Sequence, residues 1–292
     1  MTIAAVSPPE KPKWALVIHG GAGSMTRDKL TPEQDADIRA ALATALSAGS
    51  KVLEDGGSSL DAVEAAVRVL EDDPHFNAGK GAVLTYDGTI SLDAAIMDGR
   101  TRAAGAIAGT SSARNPVSAA RRVMEDSPHV MLSGAGADSF VAEKGLATES
   151  QDYFETPERR RQLDELKAKK VGWYDVDLKY GTVGAVALDM QGHVAATYAD
   201  DRACAVSATG AGEFFIRVGV AQEICARVRM TGERIVPAAS AVMAEVKELG
   251  GTGGVIVIAP DGQIGWSFNT PGMYRGGRDS TGRERIAIYG DE

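Results

Sequence analysis

Hydrophobic and polar positions along this chain follow two periods in turn. Ala15-Leu16-Val17-Ile18 is a short unbroken apolar run that enters a glycine loop, the length and punctuation of a buried strand. Thr31-Pro32-Glu33-Gln34 joins an N-cap threonine, an N1 proline and a capping-box glutamine, so a helix opens there and runs to the Gly56-Gly57 stop. Ser58 starts a second helix with Leu60, Val63, Ala66, Val67 and Leu70 on one face. Short strands are predicted at 83–84, 92–97 and 103–108, then a helix capped by Asn115-Pro116 that stops before Pro128. Beyond Thr156, an N-cap followed by Pro157, the stretch 156–170 is almost entirely charged and reads as an exposed connector. Strands follow at 182–188, 194–198 and 203–208, helices at 213–230 and 237–249, and a hairpin of 255–258 with 263–268 around Pro260-Asp261-Gly262. Runs of strands with helices grouped between them predict an α+β fold, a layered sandwich with helices outside two sheets.

Composition narrows this picture. The 292 residues, 44% of them hydrophobic, are enough to bury one large core, and nothing divides them into modules, so residues 1–292 are taken as a single domain. A net charge of -9 argues against nucleic acid as a partner, because phosphate binding needs a concentrated basic surface. The only dense basic cluster, Arg159, Arg160 and Arg161 with Lys167, Lys169 and Lys170, is interleaved with acids and reads as a solvated face. Cys204 and Cys225 each sit among apolar neighbours and read as small buried hydrophobes without a disulfide. No stretch is long and apolar enough to cross a membrane, and residues 1–13 carry no apolar core of signal-peptide length. A cytoplasmic enzyme without a membrane partner is the expectation.

The chemistry concentrates at Gly181-Thr182, which opens an apolar β-run midway along the sequence. A threonine hydroxyl is a poor nucleophile. If the bond before it is cut, the freed α-amino group sits beside its own Oγ and titrates at roughly pH 7.7 to 8.0, so one residue supplies nucleophile and base. Gly181 leaves room for Thr182 to attack the preceding carbonyl, although a glycine turn before an ordinary strand also explains the pair. Rival chemistries lack their parts. His19-Gly20-Gly21 resembles the oxyanion loop of α/β-hydrolases, but no Gly-x-Ser-x-Gly elbow accompanies it. His19, His75, His129 and His193 form no metal-binding pair, and Gly79-Lys80-Gly81 lacks the flanks of a phosphate loop.

Five further motifs surround this junction in a fixed order: Val17-Ile18-His19-Gly20-Gly21-Ala22-Gly23, Phe76-Asn77-Ala78-Gly79-Lys80-Gly81 with Ser91-Leu92-Asp93, Ser207-Ala208-Thr209-Gly210-Ala211-Gly212, Gly250-Gly251-Thr252-Gly253-Gly254 and Phe268-Asn269-Thr270-Pro271-Gly272. Together they resemble the plant-type asparaginases, or isoaspartyl peptidases, of the N-terminal-nucleophile hydrolases, over nearly the whole sequence. The resemblance implies a four-layer αββα sandwich that cuts itself into 1–181 and 182–292, a dimer of such processed units, and hydrolysis of L-asparagine and β-aspartyl dipeptides. Thr182 would be the nucleophile, and Thr209 and Gly210 the oxyanion donors. Asn77 would orient the nucleophile's amino group, and substrate would approach the backbone at Gly212. Backbone carbonyls of Leu70, Glu71, Asp73, Phe76, Ala78 and Lys80 would hold a structural sodium, with no cofactor needed for catalysis. Thr209-Gly210 reads equally as a helix N-cap, and Asn77 as a turn residue.

One departure stands out. After its nucleophile strand the family carries a Thr-Ser-Thr-Gly-Gly turn and a Gly-Arg-x-Gly-Asp loop, whose Arg and Asp clamp the substrate's α-carboxylate and α-amino groups. Here Ala195-Ala196-Thr197 runs straight into Tyr198-Ala199-Asp200-Asp201-Arg202, which already matches the far side of that loop. Asp200 and Arg202 match strand positions beyond the clamp and do not replace it. Two classes therefore stand open: an autoprocessed hydrolase, with a glycosylasparaginase-like or threonine-protease relative as its near neighbour, and a catalytically impaired relative that keeps the fold.

Overall fold

The computed structural model describes residues 11–169 and 182–292. The first part of the sequence forms β1 (Ala15–Gly23), α1 (Pro32–Glu54), α2 (Ser59–Asp72), β2 (Leu92–Asp98), β3 (Ala104–Thr110), α3 (Pro116–Asp126), β4 (Met131–Ser133), α4 (Gly134–Glu143), α5 (Gln151–Phe154) and α6 (Pro157–Ala168). The second part forms β5 (Gly184–Leu188), β6 (Val194–Ala196), β7 (Tyr198–Asp200), β8 (Cys204–Gly210), α7 (Gly212–Val218), α8 (Val220–Thr231), α9 (Ile235–Glu248), β9 (Gly253–Ile258), β10 (Ile264–Phe268), β11 (Gly272–Asp279) and β12 (Glu284–Tyr289).

These strands make two sheets, an eight-stranded one in the order β12-β11-β1-β5-β6-β2-β3-β4 and a four-stranded one in the order β10-β9-β8-β7. Both faces of β1, β5 and β9 are covered, and period-two alternation sends successive apolar residues to opposite sides. Along β1, Leu16 and Ile18 pack under α1 and α2 with Leu42, Leu46, Ala66 and Leu70. Ala15 and Val17 face the opposite way and meet Val186, Ala205, Ile256 and Ile258 between the sheets. The outer face of the four-stranded sheet, with Val206, Val255 and Val257, is covered by Ile224, Val242 and Val246 of α8 and α9. Three apolar interfaces thus separate four layers, helix, sheet, sheet, helix, as expected.

Local signals mark several boundaries as predicted. The Thr31 capping box is formed in both directions, with Gln34 N–H donating to Thr31 Oγ1 at 3.2 Å and Thr31 N–H to Gln34 Oε1 at 3.0 Å. Ser58 and Thr156 also cap their helices through side-chain oxygens. Other expectations are corrected. Residues 83–84 form no strand, since Val83 N–H is taken by the side chain of Asn77. The helix expected at 213–230 is broken at Gly219, whose φ of 66° lies in the left-handed region that ends one helix and starts the next. The strand expected at 194–198 is two strands in different sheets, separated by Thr197 alone. Nor is α6 simply solvated. Leu163 is buried, Arg159 Nε donates to Gly81 O at 2.6 Å, and Arg160 reaches Gly88 O, so this charged helix is docked on the glycine loop. Arg161 keeps the expected exposed role, pairing with Glu158 and Glu165 of its own helix.

The two cysteines are also not separate hydrophobes. Cys204 at the start of β8 and Cys225 within α8 are disulfide-bonded, with their Cα atoms 5.4 Å apart. The bond closes a sequence separation of 21 residues, for which the loop-entropy estimate is about 3 kcal/mol. Reduction, or Cys225→Ala, is expected to lower the unfolding free energy by about that amount. Denaturant melts of oxidised and reduced protein measure it, and superimposable curves would show that the bond does not form in solution.

Candidate active site

Thr182 lies two residues before β5, near the middle of the large sheet, and is exposed where two cavities meet. One, of about 490 Å³, runs under the 77–83 loop and is lined by Asn77, Gly79, Asp93, Thr197 and Ala208. The other, of about 470 Å³, opens toward α7 and α8 and is lined by Tyr198, Thr209, Gly210, Gly212, Phe215 and Gln222.

Both backbone groups of Thr182 are held. Its N–H donates to Thr209 Oγ1 at 3.1 Å, and its carbonyl lies 3.1 Å from His19 Nδ1. A carbonyl only accepts, so Nδ1 carries the proton. Burial pushes the imidazole down to about 4, partly offset by the Thr182 carbonyl, so the ring is neutral near pH 7 and Nε2 is an acceptor. Ser207 Oγ, 3.0 Å from Nε2, therefore donates to it, and Thr197 Oγ1 stands 3.4 Å behind. The result is a directed relay: Thr197 hydroxyl to Ser207, Ser207 to His19, His19 to the Thr182 carbonyl.

Period two places these groups. On β8, Cys204 and Val206 face the helices, while Ala205, Ser207 and Thr209 face the other sheet. His19 continues the inward face of Val17 and pairs in register with Gly184. A side chain at Gly184 would collide with Ser207 Oγ and come within 2.5 Å of His19 Nε2, so glycine is the only residue that lets the sheets close here. Gly210 has a φ of 136°, and a Cβ there would meet the backbone of Thr252 and Gly253. Gly212 faces open space in the second cavity, which suits close approach of a ligand to its backbone. The N-cap of α7 is Ala211, which has no capping bond from a side chain, so Thr209-Gly210 does not serve as a cap.

Asn77 lines the first cavity with Thr182, and its Oδ1 accepts Val83 N–H at 2.8 Å, which is the turn role. Gly181 lies outside the described residues. The 70–81 stretch curls tightly. Lys80 N–H donates to Glu71 O at 2.7 Å, and a Cβ on Gly81, whose φ is 97°, would fall 2.6 Å from Pro74 O and 2.9 Å from Phe76 O. The Pro74 and Phe76 carbonyl oxygens thus both approach Gly81 inside this loop, and carbonyl oxygens are donors of the kind a hard cation takes. Beneath it the Glu71 side chain is buried against Val117 N–H, and burial pushes its carboxyl up to about 8.

Asp200 and Arg202, set aside as clamp residues on the sequence, are committed elsewhere. Arg202 NH2 reaches Asp200 Oδ2 at 2.6 Å and Arg229 NH1 reaches the same oxygen at 3.2 Å; the Arg202 contact is the main cause that holds this buried carboxylate down at about 2. Sequence reasoning missed the roles of His19 and Ser207. The signal that was there is a polar residue at alternate positions on an otherwise apolar strand face.

The order of these motifs and the site they build are matched by known proteins. The family model described as Asparaginase matches residues 12–197 and 195–288. The chain belongs to the asparaginase family. Its relatives include the isoaspartyl peptidase of Escherichia coli K12, 43% identical over 297 aligned positions covering 90% of this chain and 92% of that protein. The plant-type L-asparaginase of Pyrococcus abyssi is 37% identical, covering 89% and 94%, and the isoaspartyl peptidase/L-asparaginase of Rattus norvegicus is 37% identical, covering 85% and 80%. The two matched segments of this asparaginase-family protein overlap over residues 195–197, the end of β6 and the single residue before β7. The alignment with the Escherichia coli relative needs 297 positions for 90% of 292 residues, so that relative carries residues without a counterpart here.

The neutral, buried His19 makes stability depend on pH. Its folded value of about 4 lies below the ordinary 6.5, so the unfolded state binds the proton first as pH falls. Its contribution is intact above pH 6.5 and is lost toward pH 4. Between pH 7 and 4.5 the wild type should lose on the order of 2 to 3 kcal/mol from this group. Denaturant titrations of wild type and His19→Asn at both pH values read the difference; parallel losses would assign the acid sensitivity to other groups.

Proposed function

We propose that this protein is an autoprocessed threonine hydrolase that cleaves the side-chain amide of L-asparagine and the isopeptide bond of β-aspartyl dipeptides. The observation that carries this reading is the contact between Thr182 N and Thr209 Oγ1, with the Thr182 carbonyl held by His19 at the meeting of two cavities. In processing, Thr182 Oγ attacks the Gly181 carbonyl, the Gly181–Thr182 C–N bond breaks, and water hydrolyses the ester, leaving a free α-amine on Thr182. That amine then takes the Oγ proton as Oγ attacks the carbonyl of the substrate's β-amide. The Thr209 hydroxyl and Gly210 N–H stabilise the oxyanion, and the leaving amine departs with the proton before water releases the acyl group. His19 fixes the nucleophile's backbone and takes no proton at neutral pH. A sodium ion held by carbonyls of Leu70, Glu71, Asp73, Phe76, Ala78 and Lys80 would stiffen the loop that carries Asn77. Two processed units are proposed to associate, which light scattering can weigh. The names of the relatives, isoaspartyl peptidase and L-asparaginase, support the substrate class. A cytoplasmic location is part of the proposal, and the Cys204–Cys225 bond is the feature that argues against it.

A second reading, an impaired enzyme, is favoured by one observation. Among the described residues lining the two cavities, none has a cationic group to pair a substrate α-carboxylate. Charge-assisted hydrogen bonds of that kind contribute about 1.5 to 3 kcal/mol.

Intact mass should show fragments ending at Gly181 and starting at Thr182, while Thr182→Ala stays in one piece and loses at least about a thousandfold in amide turnover. Normal cutting of that variant would assign processing to another protease. In mature enzyme, Thr209→Val is expected to lower kcat by about 10² to 10³, the usual cost of one oxyanion donor. Inserting a relative's segment between Ala196 and Tyr198 should raise kcat/KM on L-asparagine by about 10- to 100-fold. No gain would place the α-carboxylate partner elsewhere in this protein.

A further inference from the structure

The walls around Thr182 have a definite electrostatic character. Asp93, exposed, is the charged side chain lining the first cavity among the described residues, while the buried Glu71, whose carboxyl is pushed up to about 8, is mainly neutral near pH 7. Asp93 is fixed there, because its Oδ1 accepts Gly109 N–H at 2.7 Å across the β2–β3 pair. The second cavity has an apolar side formed by Phe215, Ile216, Val220 and Ala221, and its polar side chains, Thr182, Tyr198, Thr209 and Gln222, are uncharged in type. A ligand carboxylate in either cavity meets no cationic side chain among the described lining residues, and next to Asp93 it faces a like charge, which raises the free energy of a desolvated anion. An ammonium group beside Asp93, and a neutral group against the apolar wall, match what is there.

We propose that this site selects β-carboxamides that carry an α-ammonium group and an uncharged α-carboxyl derivative, such as an α-amide or the next residue of a peptide, over free L-asparagine, with Asp93 as the specificity-determining residue. The inference rests on the hydrolase reading above and names its substrate class. The reaction is unchanged. The bond from Thr182 Oγ to the β-amide carbon forms, the β-amide C–N bond breaks, the Oγ proton leaves with ammonia through the α-amine of Thr182, and water hydrolyses the ester. The direct passage from β6 to β7 at Thr197 leaves this acidic and apolar lining as the surface the substrate meets.

The test uses processed full-length protein with two probes, L-asparagine and L-asparagine α-N-methylamide. Ammonia reports hydrolysis of the β-amide, whereas attack at the α-amide would release methylamine. The expected result is a kcat/KM for ammonia release at least about tenfold higher on the methylamide. Asp93→Asn should narrow that preference several-fold, by weakening the methylamide and relieving the repulsion of asparagine. Equal or faster turnover of L-asparagine overturns the selectivity and leaves the hydrolase reading intact. An unchanged ratio in Asp93→Asn overturns the assignment to Asp93. Absence of Thr182-dependent ammonia release from both probes overturns the hydrolase reading and the selectivity together.

Discussion

A neutral imidazole buried between two sheets holds the reactive end of this protein together. His19 belongs to β1 of the large sheet, yet its two nitrogens reach the Thr182 carbonyl before β5 and the Ser207 hydroxyl on β8 of the small sheet. Without these partners the ring would be a desolvated polar group costing a few kcal/mol. With them it fixes the Thr182 backbone relative to the strand that carries Thr209. The contact exists only because position 184 has no side chain, so the closeness of the sheets, the tautomer of His19 and the placement of Thr182 are one constraint seen from three sides.

The rest of the structure braces that constraint. On one side the 70–83 loop, closed by its own carbonyls and by Asn77, is backed by α6 through Arg159 and by the buried Glu71. On the other, the Cys204–Cys225 bond ties the start of β8 to α8, whose first turn lines the second cavity. The buried Asp200 with Arg202 and Arg229 anchors β7, the short strand entered directly from Thr197. The charges nearest the absent clamp loop are thus consumed in holding the frame, as their strand positions imply. Among the described residues the cavity walls keep one exposed acid, Asp93, beside uncharged polar and apolar groups.

Much of this is legible without the fold. Apolar runs bounded by glycine mark β1, β5 and β9, capping residues mark α1, α2 and α6, and the motif order around Gly181-Thr182 points to the reactive threonine. The errors share a cause. Residues 83–84 have strand-like neighbours, but Asn77 takes the Val83 N–H. Residues 194–198 read as one short strand, and nothing local says that the backbone switches sheets at Thr197. Helix α6 is charged enough to look solvated, although two of its arginine heads are spent on the glycine loop.

By itself the sequence determined what depends on near neighbours: helix starts, turn glycines and the buried faces of strands. The tertiary structure alone decided what depends on atoms far apart along the backbone. It set His19 against Thr182 and Ser207, 163 and 188 residues away, and brought Cys204 within bonding reach of Cys225. It also gathered Asp93 into the cavity of Thr182. Period and propensity act over one or two turns of backbone, whereas a hydrogen bond or a disulfide needs two groups within a few ångströms, and only the packing of the two sheets supplies that.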